Sequence, residues 1–312
     1  MKKNLYVLSL MPMILSAKKS TVGGQALIEG VMMRGKQKIS WAVRKPDGEM
    51  VIEHFPFISV CKAHKILAVP VIRGAINLFE SLTIGYKGLM RSVEIAMPEE
   101  QKQSKNNLKE TIYTALSMII ALGVSVGLFM YLPMFIAQIF FKNSAIAFNF
   151  TAGGVRLALF LGYLIGISFF KDIKRMFEYH GAEHKAIFTF EDQKELTLEN
   201  MRPYTTLHPR CGTSFILLVT IVCILIFSVI DALFINFIGP YPNIISRLLV
   251  HLLLIPLVSG FSYEVLKLSD RYQHNFIVSM LVKPGLWLQL ITTRQPDDRQ
   301  LETASAALKA AL

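Results

Sequence analysis

Four apolar runs dominate the chain after residue 110, and each approaches the roughly 20 residues that a bilayer-spanning helix needs. They run from Ile112 to about Phe135, from Gly154 to Phe170, from Ser214 to about Phe237 and from Ile244 to about Leu266. The second is the shortest and is expected to extend into its flanks. A polar stretch, Tyr179 to Ser214, interrupts the series between the second and third runs.

Ahead of the first run the pattern changes. Ser40 to Arg44 and Glu49 to Phe55 read as short strands, and Lys45-Pro46-Asp47-Gly48 joins them with turn chemistry. Gly23 to Gly35 is punctuated by glycine, with Glu29 and Arg34 in apolar company. It lacks the Gly-Lys-Ser/Thr ending of a phosphate loop, so a strand whose glycines serve turns or bulges is preferred to a ligand loop. Ala63 to Arg91 reads as an apolar helix lying at the membrane interface, restarted or kinked at Pro70. Arg73, Asn77 and Glu80 share one of its faces, and Lys87 and Arg91 continue it. That stripe is either the wet side of the helix or part of a site. Gly74, Gly85 and Gly88 allow close contact with a neighbour.

Met97 to Glu110 reads as a solvated linker. Beyond the fourth run, Asn275 to Leu290 is apolar but broken by Lys283-Pro284-Gly285, which suggests a segment at headgroup level and not a fifth crossing. Pro296-Asp297-Asp298 opens a final helix. Its stripe Leu301, Ala304, Leu308 and Leu312 is suited to pack on the protein itself or on a partner.

The fold class expected is therefore mainly α: an integral membrane bundle of about four helices, with a small cytosolic β-containing region and an interfacial helix near its start. The organisation expected is a variable segment 1–22 and a β-hairpin region with interfacial helix and linker, 23–110. A transmembrane region 111–274 follows, holding a polar loop 171–213, and then an interfacial segment and terminal helix, 275–312. Lys2 and Lys3 before Leu5 to Leu15 imitate a secretion signal, but Pro12 interrupts the apolar run and Leu15-Ser16-Ala17 is a poor cleavage site.

Composition and charge sharpen this picture. A hydrophobic content of 53% is high for a soluble domain. Of 33 Lys and Arg residues, 30 fall on one side of the four-span topology, which predicts that both termini and the polar loop are cytoplasmic. The net charge of +11 points to anionic lipid headgroups, and no basic-aromatic nucleic-acid motif is present. Cys61, Cys211 and Cys223 show no paired spacing, so a disulfide framework is not expected.

The chemistry concentrates in the polar loop. His180 and His184 are four apart, so on a helix both imidazoles leave one face and can reach one divalent cation, zinc by donor type. Glu183 sits beside the second of them, placed as a general base for hydrolysis, and His-x-x-Glu-His matches the inverted zincin pattern. A third ligand could come from His208, Cys211 or Glu264. Glu264 lies about 30 Å along the last run, at its cytoplasmic end, and equally suits an interfacial charge paired with Lys267 or Arg271. Asp231 and His251 should lie at the opposite end.

These residues also carry a resemblance. Gly24-Gln25-Ala26, Glu29 to Gly35, Arg73-Gly74, Tyr179 to His184, His208 to Ser214 and Pro284 to Gln289 make the chain similar to the YqhQ-type bacterial family of unknown function, labelled as predicted metal-dependent enzymes. The resemblance implies an integral protein of the bacterial cytoplasmic membrane. Its metal label rests on the same motif and adds no separate support.

Three classes of function remain. The first is a metal-dependent hydrolase acting on a peptide or lipid-linked substrate. The second is a non-enzymatic scaffold or assembly factor, with a membrane-protein partner or a second copy of the chain. The third, a transporter, is disfavoured because the runs contain no midplane polar pathway and no inverted repeat.

Overall fold

The structure is a computed structural model that describes residues 22–97, 108–271 and 276–312. The leader-like start, most of the linker after Met97 and residues 272–275 lie outside the described residues.

Four strands form one antiparallel meander in chain order: β1 (Gly23–Leu27), β2 (Gly30–Arg34), β3 (Lys38–Arg44) and β4 (Met50–Pro56). The expected hairpin is β3–β4, with Arg44 opposite Met50 and Gly48 at φ 88° in the turn. The glycine-rich stretch before it is two strands where one was expected. Glu29 adopts φ 51°, which reverses the chain so that Leu27 pairs with Gly30. A β-carbon at position 30 would overlap the Ala42 carbonyl oxygen, so only glycine fits this crossing of the sheet.

Both faces of the sheet are covered, which is why β2 and β3 do not alternate cleanly between apolar and polar. Met32, Ile39, Trp41 and Val43 pack with Ile84, Ile95 and Ala96 of α1 (Ile72–Ala96). Val31, Met33 and Ala42 on the opposite face pack against α5 (Lys171–Glu191) and α9 (Asp298–Ala311). The helix expected from Ala63 begins only at Ile72, two residues after Pro70, where a kink or restart was expected, and its three glycines mark its contact seam. Gly74 lies on the Gly260 backbone, where an added β-carbon would stand 2.9 Å from the Gly260 Cα, while Gly85 meets Gln25 and Gly88 meets Met32 and Leu27.

The apolar runs form helices α2 (Leu108–Val126), α3 (Leu132–Phe141), α4 (Ala145–Ile167), α6 (Gly212–Phe237) and α7 (Ile244–Arg271). Four stretches are long and apolar enough to cross a membrane: Ala115–Phe141, Ala145–Ile167, Val219–Phe237 and Ile244–Val265. Much of their surface is bare hydrocarbon, with Leu122 67% and Leu253 79% exposed. Such a surface is stable in lipid and not in water.

The first two spans correct the expected limits. The first continues to Phe141 through a π turn, Gly127–Tyr131, because Pro133 has no N–H for the Phe129 carbonyl and the helix widens there. The second starts at Ala145, capped by the Ser144 hydroxyl accepting from Ala147 N, so only three residues separate it from α3. Arg156 consequently lies within the second span, where its Nε donates to the freed Phe129 carbonyl at 2.9 Å.

Three further expectations change. Residues 171–191 of the polar loop 171–213 form helix α5, and residues 181–189 are buried on every side. Lys283-Pro284-Gly285 does not break its segment: α8 (Phe276–Thr292) passes through Pro284, and Gly285, Leu286, Leu288 and Gln289 are buried. Tertiary packing of α8 on α6 overrides the proline here. The final helix opens with a capping box between Asp297 and Gln300 and packs on the protein's own sheet and α5. Leu301, Ala304 and Leu308 are buried, but Leu312 is exposed and leaves the expected stripe.

Candidate functional site

One turn of α5 supplies the centre of the site. His180 and His184 stack edge to face with ring centroids 4.5 Å apart. The helix can approach the chain after α8 because position 181 is glycine; any β-carbon there would overlap the Arg294 carbonyl oxygen, whose own N–H donates to Phe177 O at 2.9 Å.

The two rings are oriented from behind by backbone carbonyls. His180 Nδ1 lies 2.8 Å from Thr292 O, and His184 Nδ1 lies 2.5 Å from Thr206 O. A carbonyl only accepts, so each Nδ1 carries the hydrogen and each Nε2 presents a lone pair. This is how proteins commonly hold metal-ligating histidines. His180 Nε2 is 3.1 Å from Cys211 Sγ. The ligand-type atoms of His180, His184 and Cys211 all lie within 4.8 Å of one another. Tetrahedral zinc with these donors wants ligand atoms ~3.4–3.8 Å apart, a spacing about 1 Å of side-chain closure would reach. Cys211 is placed by the start of α6, where its sulfur occupies the N-cap and accepts from Thr213 N at 3.5 Å.

Glu183 completes the cluster. Its Oε2 stands 3.9 Å from His180 Nε2 and 4.0 Å from His184 Nε2. The Gly24 N–H of β1 donates to the carboxylate, and a β-carbon on Gly24 would lie 2.7 Å from Glu183 Cγ. Burial pushes the Glu183 pKa up to about 7, and the shift is opposed by His180 when that ring is protonated and by the Gly24 N–H. A carboxyl poised there can take and return a proton near neutral pH.

The remaining candidates are placed elsewhere. His208 is buried 5.5 Å from His184, ring centroid to centroid, but it has the opposite tautomer. Its Nδ1 accepts from Arg210 N at 3.3 Å, leaving the hydrogen on Nε2, which stands 3.6 Å from Glu191 Oε2, beyond hydrogen-bond reach. Burial, with His184 and Arg210 nearby, pushes its pKa well below the usual imidazole value, so it is neutral. Glu264 is not in the cluster. It forms a two-pronged ion pair with Arg73, Nε to Oε1 at 2.7 Å and Nη2 to Oε2 at 2.5 Å, with Lys267 adding a weaker attraction. The stripe of α1 thus ties that helix to the last span, where a wet face was the first expectation.

Asp231 and His251 stay away from the cluster, as expected. They meet at 2.9 Å, joined by Asn149, Tyr241 and Arg247, about 20 residues and some 30 Å along α6 from Cys211.

Residue types alone conceal several supports of the site: Gly24, the Thr206 and Thr292 carbonyls, and Gln289. The Gln289 amide grips the His208 backbone from both sides, accepting at 2.7 Å and donating at 2.8 Å. Gly24 and Gln289 do stand within the segments that carry the family resemblance.

Comparison with known proteins agrees with that resemblance. The model of a family described as "Protein of unknown function (DUF1385)" matches residues 69–312. The "Uncharacterized protein YqhQ" of Bacillus subtilis (strain 168) is 35% identical over 298 residues, covering 90% of this chain and 89% of that protein. No solved structure matches the chain.

Proposed function

The chain belongs to the DUF1385 family of unknown function, and from that premise we propose that it is a multi-pass membrane protein holding one divalent metal, zinc, on His180, His184 and Cys211 and using it for hydrolysis. The observation that carries this reading is the pair of Nδ1–carbonyl contacts, which turns two Nε2 lone pairs and a thiol toward a common point. Two imidazoles and one sulfur leave a fourth position open, as catalytic zinc sites do. Zinc bound there would supply Lewis acidity toward a carbonyl or phosphoryl oxygen. Glu183, held by the Gly24 N–H, takes a proton from the attacking water and returns it to the leaving group. His208 neither binds metal nor moves a proton in this scheme; neutral and buried, it braces the turn that carries Cys211.

The site lies at the cytoplasmic face of the bacterial plasma membrane, with both termini on that side, because the Lys and Arg residues gather there. Its substrate is a peptide or lipid-linked molecule reached from the inner leaflet.

Metal analysis of the full-length protein, purified without chelators, tests the reading. We expect one zinc per chain in the wild type, and none in the His180→Ala, His184→Ala double variant with helical content retained. Zinc equally bound by the double variant, or only trace metal in the wild type, overturns it.

A further inference from the structure

We propose that a second site, the cavity between the β2–β3 turn, the helical turn Val60–Ala63 and α1, binds the phosphate of an anionic phospholipid headgroup. The cavity measures about 580 Å³ and is lined by Arg34, Lys36, Lys62, Ser59, Asn77 and Tyr263 among others, with no carboxylate in its lining. Glu80, beside the cavity, accepts from Ser59 Oγ at 3.2 Å and Val60 N at 2.5 Å and pairs with Arg34 at 3.7 Å, which leaves Lys36 and Lys62 as the uncompensated cations of the lining. Lys36 and Lys62 are exposed and form no ion pair among the described residues; Lys62 Nζ reaches only the Lys36 carbonyl, at 3.4 Å. The cavity therefore presents cations and neutral donors together, the requirement for a phosphate.

Its depth selects a lipid as the source of that phosphate. Tyr263 belongs to the last span, two residues before its end at Val265. The Gly74–Gly260 contact and the Arg73–Glu264 pair hold α1 at the same level. Along α1, Ile72, Phe79, Leu82 and Tyr86 make one exposed apolar face, and Ile66 ahead of it is 86% exposed. An amphipathic segment of this kind seats at the headgroup–acyl boundary. The cations of the cavity then stand where lipid phosphates lie, beside a surface fit for acyl chains. Binding here does not depend on a metal at His180 and His184.

The test uses the full-length protein in neutral-detergent micelles supplied with equal phosphatidylglycerol and phosphatidylcholine, with retained lipid counted by native mass spectrometry. We expect phosphatidylglycerol to be retained in preference, and a Lys36→Ala, Lys62→Ala variant to lose that preference by about thirtyfold. A Lys171→Ala, Lys309→Ala variant, with the same charge removed elsewhere on the surface, should keep it. Equal loss in both variants means diffuse attraction and overturns the site. A wild type without lipid preference, yet stabilised by inorganic phosphate alone, overturns the lipid assignment.

Discussion

Glu183 is an ionisable group in a buried place, and its cost has a sign. An exposed carboxyl titrates near 4.5, whereas burial in the folded protein raises the value to about 7. Between those values the folded state holds a proton that the unfolded chain has released, so stability falls as pH rises from about 4.5 to about 7. Without metal, Glu183→Gln should remove that slope and stabilise the protein at pH 8 by about 3 kcal/mol, while abolishing the proposed hydrolysis. Denaturation of the metal-free protein at pH 5 and pH 8 checks this; an unchanged slope in the variant would place the titration elsewhere. Its neighbour Gly24 makes a second case. A β-carbon there meets Glu183 Cγ at 2.7 Å and the Met32 carbonyl at 2.8 Å, while one on Gly23 meets nothing within 4 Å. Gly24→Ala should therefore cost about 1–3 kcal/mol as an overpacked contact and lower zinc occupancy, with Gly23→Ala close to wild type in melting and metal content. The histidine pair was legible in the sequence because a 3.6-residue period puts positions 180 and 184 on one face. The choice of Cys211 over His208 was not, because it turns on which ring nitrogen meets a backbone group, and backbone groups carry no residue signature.

Single elements show how a local irregularity is answered from a distance. Pro133 removes the N–H that the Phe129 carbonyl would otherwise accept, the helix widens over Gly127–Tyr131, and Arg156 of α4 donates to the stranded oxygen. Arg156→Leu should leave that carbonyl unsatisfied in an apolar setting and cost about 1–3 kcal/mol. Adding Pro133→Ala restores an N–H within the helix, so the double variant should recover most of the loss. Thermal unfolding in detergent micelles measures both, and a double variant no better than Arg156→Leu alone would separate the arginine from the proline. The expected second run starts at Gly154, which leaves Arg156 near its end. Ser144 is the actual cap, and the helix begins nine residues earlier, at Ala145. Pro70 was expected to kink or restart the helix, and the helix does restart, at Ile72. Pro284 was misread because the buried face of α8 on α6 outweighs one lost hydrogen bond.

At the scale of the molecule, one contact limits the topology. The final helix α9 packs on α5 and on the sheet, so the segments before the first span, between the second and third, and after the last lie together. Two spans, α6 and α7, separate α5 from α8 and return the chain to the side it left. A crossing by α8 would carry α9 away from its own core, and for that reason its apolar character did not mean a fifth span. Charge is the guide to the side in the proposed topology, which assigns 30 of 33 Lys and Arg residues to this face from the sequence alone. The count was readable from the sequence, whereas the closure by α9 was not, because Leu301, Ala304 and Leu308 would suit a partner equally well. Single cysteines at Lys142 and Lys309, in a background with Cys61, Cys211 and Cys223 replaced by Ser, test the arrangement. An impermeant maleimide should label Lys142→Cys in intact cells and Lys309→Cys only after permeabilisation. The reverse pattern would put the His180, His184 and Cys211 cluster outside the cell. Labelling of both in intact cells would instead free α9 from α5, and the packing that closes the topology would have to be abandoned.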